Sequence, residues 1–171
     1  ATCHQAGHAM IDPRESALVG ASLGDDNLSR SDRNAPTAAY AAFTPSFHFD
    51  AGEGLYIGGQ FHDGSAKDLK AQAKGPFLNP VEMMMENESA VIERIKENIE
   101  RVEQIKAIYG DNIFDDDLKA YDAVADSIAL FEMSDVFAPF DSKYDRFLSG
   151  EESLTPLEAE GLRLFEGKAM C

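Results

Sequence analysis

Cys3 is followed directly by His4, so the chain opens Ala-Thr-Cys-His. This is the second half of C-x-x-C-H, in which two thiols form thioethers to haem and the histidine ligates the iron. The first cysteine of that pattern would fall just before residue 1. The only other cysteine is Cys171, the last residue. A Cys3–Cys171 disulfide is the competing reading. Closing so long a loop would stabilise the fold by roughly a few kcal/mol if the geometry allowed it.

A second cluster is Gln72, Pro76 and Glu82, within Ala71-Gln-Ala-Lys-Gly-Pro-Phe-Leu-Asn-Pro-Val-Glu-Met83. Reduction of hydrogen peroxide needs a group that moves a proton between its two oxygens. A carboxyl in an apolar pocket, with its pKa raised, can do this. An amide such as Gln72 can orient the peroxide or a water by hydrogen bonding. The same residues also read as a helix-surface amide and the start of a solvated acidic run with Glu86 and Glu88. The Met83-Met84-Met85 run could offer a thioether to iron or fill core space. His8, His48 and His62 read equally well as ordinary histidines.

These residues need positioning elements, and the periodicity is mainly helical. Residues 1–62 are rich in Gly, Asp, Asn, Ser and Ala and read as loops around short helices. Asn34-Ala-Pro-Thr37 opens one short helix through Ala42. Tyr56–Phe61 reads as a tiny strand or a tight turn. Asp63 or Ser65 would cap a helix to about Ala73, stopped by Gly75-Pro76. Val91, Ile95, Ile99, Val102, Ile105 and Ile108 predict one helix over 89–109, with Ser89 as cap. Another helix over 116–133 would bury Leu118, Tyr121, Val124, Ala125, Ile128 and Phe131. Thr155-Pro156-Leu157-Glu158 is a capping box with Pro at the first helical position.

The chain has 171 residues, 15 Lys+Arg against 31 Asp+Glu, and a formal net charge of −16. That charge argues against nucleic acid and anionic membrane surfaces and suits steering toward a basic partner. Hydrophobic content of 44% and 11 Phe describe a folded chain rather than an acidic tail. No run is long enough to cross a membrane as a helix. No signal peptide is visible, and a start at Ala1 is compatible with a removed leader. A loop-rich chain with short helices can wrap a large apolar cofactor, which then supplies core area.

Taken together the residues resemble the bacterial di-haem cytochrome c peroxidases, a family that includes MauG-like enzymes. The markers are Cys3-His4, Arg33-Asn-Ala-Pro-Thr37, Gly59-Gln-Phe-His-Asp-Gly64, Gln72-Ala-Lys-Gly-Pro76, Asn79-Pro-Val-Glu-Met83, Phe140-Asp-Ser-Lys-Tyr-Asp-Arg-Phe147 and Gly161-Leu-Arg-Leu-Phe165. Each is modest; their order and spacing are specific. The resemblance implies a mainly α, cytochrome c-like haem domain with short helices and long loops. Residues 1–150 would form the N-terminal peroxidatic domain, and 151–171 the start of a second cytochrome c domain. Cys3 would anchor haem one, His4 would be its proximal ligand, and Cys171 would attach haem two. Glu82 matches the family's distal acid/base glutamate, Gln72 the distal-pocket glutamine of MauG-like members, and Pro76 the pocket proline. Asn34 matches an asparagine at a Ca²⁺ site between the haems; an amide oxygen suits that hard cation.

Two departures stand out. Many members carry a distal histidine about eight residues before the Asn-x-Pro-Thr motif; here the region reads Asp25-Asp26-Asn27-Leu28. Haem one is therefore expected to be open without reductive activation. The family's usual Trp-Asp-Gly-Arg is His62-Asp63-Gly64-Ser65 in a chain without Trp. The expected activity is reduction of hydrogen peroxide with electrons from a small cytochrome c or cupredoxin. MauG-like oxidation of a partner protein's residues and a non-catalytic electron-transfer cytochrome are the alternatives. Covalent haem implies export to the periplasm or outer cell surface, and the family often forms homodimers.

Overall fold

The computed structural model describes residues 3–14 and 20–170. Its contacts divide the chain into two compact units, Ala1–Ala138 and Pro139–Cys171. The domain boundary expected at 150/151 lies later in the chain than this division.

The first unit begins with loops and short 3-10 turns at Ala6–His8 and Ala41–Phe43. A small antiparallel hairpin follows, β1 (His48–Asp50) paired with β2 (Leu55–Ile57) in the register His48 to Ile57. The tight turn after β2 is demanded by Gly58 and Gly59, both at positive φ. A Cβ on Gly58 would lie 2.2 Å from the Pro45 carbonyl oxygen. Both readings of Tyr56–Phe61, strand and turn, are therefore realised in succession.

Four helices complete this unit: α1 (Leu69–Leu78), α2 (Glu88–Lys96), α3 (Ile99–Tyr109) and α4 (Asp117–Glu132). All four differ from expectation, in cap, extent or buried face. Asp68, not Asp63 or Ser65, caps α1, accepting from the Ala71 N–H. Helix α1 also runs through Gly75 and Pro76 instead of stopping there. Pro76 has no N–H for the Gln72 carbonyl, but the next turn is anchored from outside. Tyr121 donates its hydroxyl to the Lys74 carbonyl at 2.5 Å. The backbone N–H groups of Met83 and Met85 return to the Pro76 and Phe77 carbonyls. The methionine run thus closes the helix end.

The single helix expected over 89–109 is two. Asn98 breaks it by leaving helical geometry and accepting from the Arg101 N–H, which caps a new helix. The isoleucine spacing continues across the break and so conceals it. Asp116 caps α4 near the expected start, taking the Leu118 and Lys119 N–H groups. Its buried face differs from expectation. Ala120, Tyr121, Ala123, Val124, Ala125 and Ala129 are buried, whereas Leu118 and Phe131 are exposed. Small residues let α1 and α2 approach α4 closely.

The core sits among these helices: Val91, Ile92, Ala120, Tyr121 and Val124, flanked by Phe77, Ile95 and Phe114. Ile92 is 0% exposed. Ile92→Ala is expected to cost about 3 kcal/mol, read from urea unfolding. Lys70 and Lys74 on α1 pair with Asp122 on α4, each at 2.6 Å.

The second unit holds α5 (Lys143–Leu148) and α6 (Pro156–Glu166). The expected capping box is present: Thr155 Oγ1 accepts from the Glu158 N–H, and Glu158 Oε2 accepts from the Thr155 N–H. Lys143 pairs with Glu158 at 2.6 Å and links the two helices. No helix among the described residues is long and apolar enough to cross a membrane.

Candidate haem and peroxide site

His4 is positioned by the loop that follows it. Its Nδ1 lies 2.8 Å from the Met10 carbonyl oxygen. A carbonyl can only accept, so Nδ1 carries the proton and Nε2 keeps its lone pair. This is the tautomer and orientation that a metal-ligating histidine needs. Met10 can present its carbonyl because Ala9 and Met10 adopt left-handed backbone.

Cys3 is a free, partly buried thiol. Cys171 lies outside the described residues, so the disulfide reading and the second attachment point fall outside them too. The Cys3 Sγ sits 3.3 Å from an Arg14 guanidinium nitrogen. Arg14 is fixed by a two-pronged bond to Asp12, at 2.8 and 2.6 Å, and by the Leu23 carbonyl at 2.6 Å. The Asp12 side chain is fully buried. The Arg14 bond holds its carboxyl well below the usual range, at about 2.

Helix α1 carries Gln72 and Pro76 four residues apart, on one face. His4 and Gln72 line one cavity, together with Gln60, Phe61, Leu69 and Glu132. The Gln72 amide makes no hydrogen bond to a described residue. Neither Glu82 nor Pro76 lines that cavity. Glu82 is half-buried where the chain turns back after α1, beside the loop at 22–31. Its carboxylate accepts from the Ser31 hydroxyl at 3.3 Å, and its backbone carbonyl accepts from the Asp25 N–H at 2.7 Å. Burial pushes the Glu82 carboxyl up. The Asp32 charge reinforces this, while bonds from Ser31 and Asn79 and the His4 charge oppose it.

The loop that lacks the family's histidine closes on itself. Asp26 accepts from the Leu28 and Ser29 N–H groups at 2.9 and 2.8 Å, and Asn27 is left-handed. Gly24 is required where this loop meets the Glu82 segment, since a Cβ there would lie 2.6 Å from the Val81 carbonyl oxygen. The Asn34 side-chain oxygen accepts from Ser22 at 3.1 Å. The Asn34 carbonyl lies 3.2 Å from His62 Nε2. Among the described residues no cluster of three or more His, Cys, Asp or Glu could hold a metal ion.

Glu132 was not anticipated. It ends α4, and burial pushes its carboxyl up against the opposing effect of the His4 charge. In sequence it is one more acid at a helix end. The Asp12–Arg14 pair was also missed, because nothing in its local pattern distinguishes it from surface charge.

The donor set suits c-type haem: a thiol, an adjacent imidazole with Nε2 free, and an amide across the cavity. The cavity itself is narrow, about 30 Å³, room for about one water. A macrocycle would instead need the uncovered apolar surface of the first unit. That surface exists: Ile11, Tyr40, Phe43, Phe47 and Phe61 are all exposed. Such a surface is what a large apolar group would cover.

Comparison with known proteins agrees. The family described as di-haem cytochrome c peroxidase matches residues 1–153. The methylamine utilization protein MauG of Paracoccus denitrificans is 48% identical over 166 residues, 96% of this chain and 43% of that protein. The cytochrome c551 peroxidase of Nitrosomonas europaea is 37% identical over 110 residues, 63% of this chain and 30% of that one. The crystal structure of the diheme peroxidase BthA from Burkholderia thailandensis superposes with a TM-score of 0.87 at 30% identity, covering 98% of this chain and 41% of that chain. The chain therefore spans less than half the length of these relatives. Its fold is mainly helical and like that of a diheme peroxidase, and the chain belongs to the di-haem cytochrome c peroxidase family.

Proposed function

We propose that the chain forms the peroxidatic haem domain of a di-haem enzyme that reduces hydrogen peroxide to water. The observation that carries this reading is Glu82, a half-buried carboxyl whose proton affinity burial has raised. Residues 1–150 make up this domain, and 151–171 begin a second cytochrome c domain. Cys3 would hold haem one by a thioether and His4 would bind its iron; Cys171 would attach haem two. Bound haem supplies the iron at which the O–O bond of peroxide is reduced.

The chain's own residues manage the protons. Glu82 takes a proton from the oxygen that binds and returns it to the oxygen that leaves. A carboxyl whose proton affinity burial has raised is suited to both transfers. Gln72, whose amide bonds no described residue, orients the peroxide. Pro76 gives that face of α1 a wall without an N–H. The reaction consumes two protons and two electrons per peroxide, and a small cytochrome c or cupredoxin supplies the electrons. Asn34 contributes an oxygen to a Ca²⁺ site. Haem c attachment places the protein in the periplasm or at the outer cell surface, and assembly as a homodimer follows family habit.

The likeness to MauG supports a second reading, oxidation of a partner protein's residues at the same haem. Turnover with a reduced small cytochrome, against oxidation of a protein encoded nearby, separates the two.

The optical spectrum of the oxidised protein tests the first reading. The expected result is a c-type Soret band with a high-spin signature that shifts on adding hydrogen peroxide. A six-coordinate, bis-nitrogen haem one would refute the open site. Absence of haem absorbance would refute the assignment of Cys3 and His4.

A further inference from the structure

The Arg14 guanidinium presents its N–H donors in a rigid planar fork. Nε and Nη2 take the two oxygens of Asp12 at 2.8 and 2.6 Å, and Nη2 also takes the Leu23 carbonyl oxygen at 2.6 Å. The remaining donors belong to Nη1, which is buried and has no hydrogen-bond partner. Among the described residues one other buried side-chain N or O is left so, the uncharged hydroxyl of Ser134. A buried charged donor without an acceptor is costly, and folded chains rarely leave one. Turning the fork to find an acceptor would break the two-pronged bond to Asp12.

The place of the fork indicates what the acceptor is. Nη2 lies 3.3 Å from the Cys3 sulfur, and His4 is the next residue in the chain. Haem bonded at that sulfur would lie beside the guanidinium. The periphery of a c-type haem is hydrocarbon except for its propionates, so these carboxylates are the acceptors it brings. Asp12 occupies the Nε–Nη2 edge and leaves Nη1 on the other side of the fork. One guanidinium can therefore serve two carboxylates at once, with charge-assisted bonds to both.

We infer that Arg14 anchors a propionate of haem one, with Nη1 donating to a propionate oxygen while Asp12 holds the fork by its other edge. The inference rests on the reading of Cys3 and His4 as the attachment of haem one. Arg14 is then a cofactor-binding residue, and Asp12 positions it.

Resonance Raman spectra of the haem-loaded protein test this in the propionate-bending region. Wild type is compared with Arg14→Lys, which keeps the charge but offers a single nitrogen for Asp12 to claim. The propionate-bending band of one haem is expected to move to lower frequency, with the spin-state marker bands in place. The double variant Asp12→Asn with Arg14→Leu removes the fork and its counter-charge together, and serves if Arg14→Lys fails to fold. It should show the same shift. A band unchanged in a folded, haem-loaded variant overturns the inference and leaves the attachment reading intact. Peptide mass mapping that finds no haem on Cys3 of the wild type overturns the attachment reading, and the inference with it.

Discussion

Glu82→Gln is expected to slow the reaction with hydrogen peroxide about 10²–10⁴-fold. The same substitution should leave the fold unharmed. The amide matches the carboxyl in shape and can still accept from Ser31 Oγ, but it cannot take a proton from the bound peroxide oxygen. Stability should move the opposite way to activity. Burial raises the carboxyl's proton affinity in the folded state, so the folded chain holds that proton to higher pH than the unfolded chain. Ionising Glu82 therefore costs stability as pH rises from its ordinary value near 4.5 through the raised one. Glu82→Gln removes that cost, and its thermal midpoint at neutral pH should equal or exceed that of wild type. Stopped-flow Soret absorbance gives the rate and calorimetry gives the midpoint. An unchanged peroxide rate in the variant would favour the electron-transfer cytochrome instead.

What the sequence disclosed divides along physical lines. Elements fixed by local chemistry were legible. Asp116 before an apolar repeat, and Thr155-Pro156 with Glu158 three residues on, carry their caps in the chain itself, and α4 and α6 start accordingly. Elements decided by tertiary contact were not. Gly75-Pro76 has the local character of a helix stop, yet the Tyr121 hydroxyl, 47 residues away, anchors the Lys74 carbonyl and the helix continues. Leu118 and Phe131 fit the apolar stripe of α4 but lie outside the alanine face that α1 and α2 pack against.

The site divides the same way. Cys3-His4 adjacency and the spacing of Gln72 and Pro76 are written in the sequence. The Met10 carbonyl that sets the His4 tautomer is not, nor is the left-handed Phe61. Both depend on backbone geometry that several distant residues jointly impose.

The largest stability effect is expected beside Cys3. Asp12 and Arg14 form a pair in which the Asp12 side chain is 0% exposed and the Arg14 side chain 17%. Replacing a hydrophobic pair with such an ion pair brings little net gain, but removing one partner strands the other charge away from water. Asp12→Asn is therefore expected to cost about 3–5 kcal/mol, measured by urea unfolding at neutral pH. The double variant Asp12→Asn with Arg14→Leu should recover much of that loss, because no buried charge remains uncompensated. The pH dependence follows from the same pair. The folded carboxyl titrates at about 2, against an ordinary value of 3.8. Its contribution, about 2 kcal/mol at 1.36 kcal/mol per pKa step, is complete above pH ~4. It is lost as pH falls through about 2, because the unfolded chain binds the proton first. Wild type should lose stability over that interval and Asp12→Asn should lack this component. Arg14 also touches the Cys3 sulfur and the Leu23 carbonyl, so the single variant releases the thiol from its fixed direction. A lower fraction of covalently bound haem, read by intact mass, should accompany the lost stability. Full attachment in a destabilised Asp12→Asn protein would separate the two roles and leave the pair purely structural.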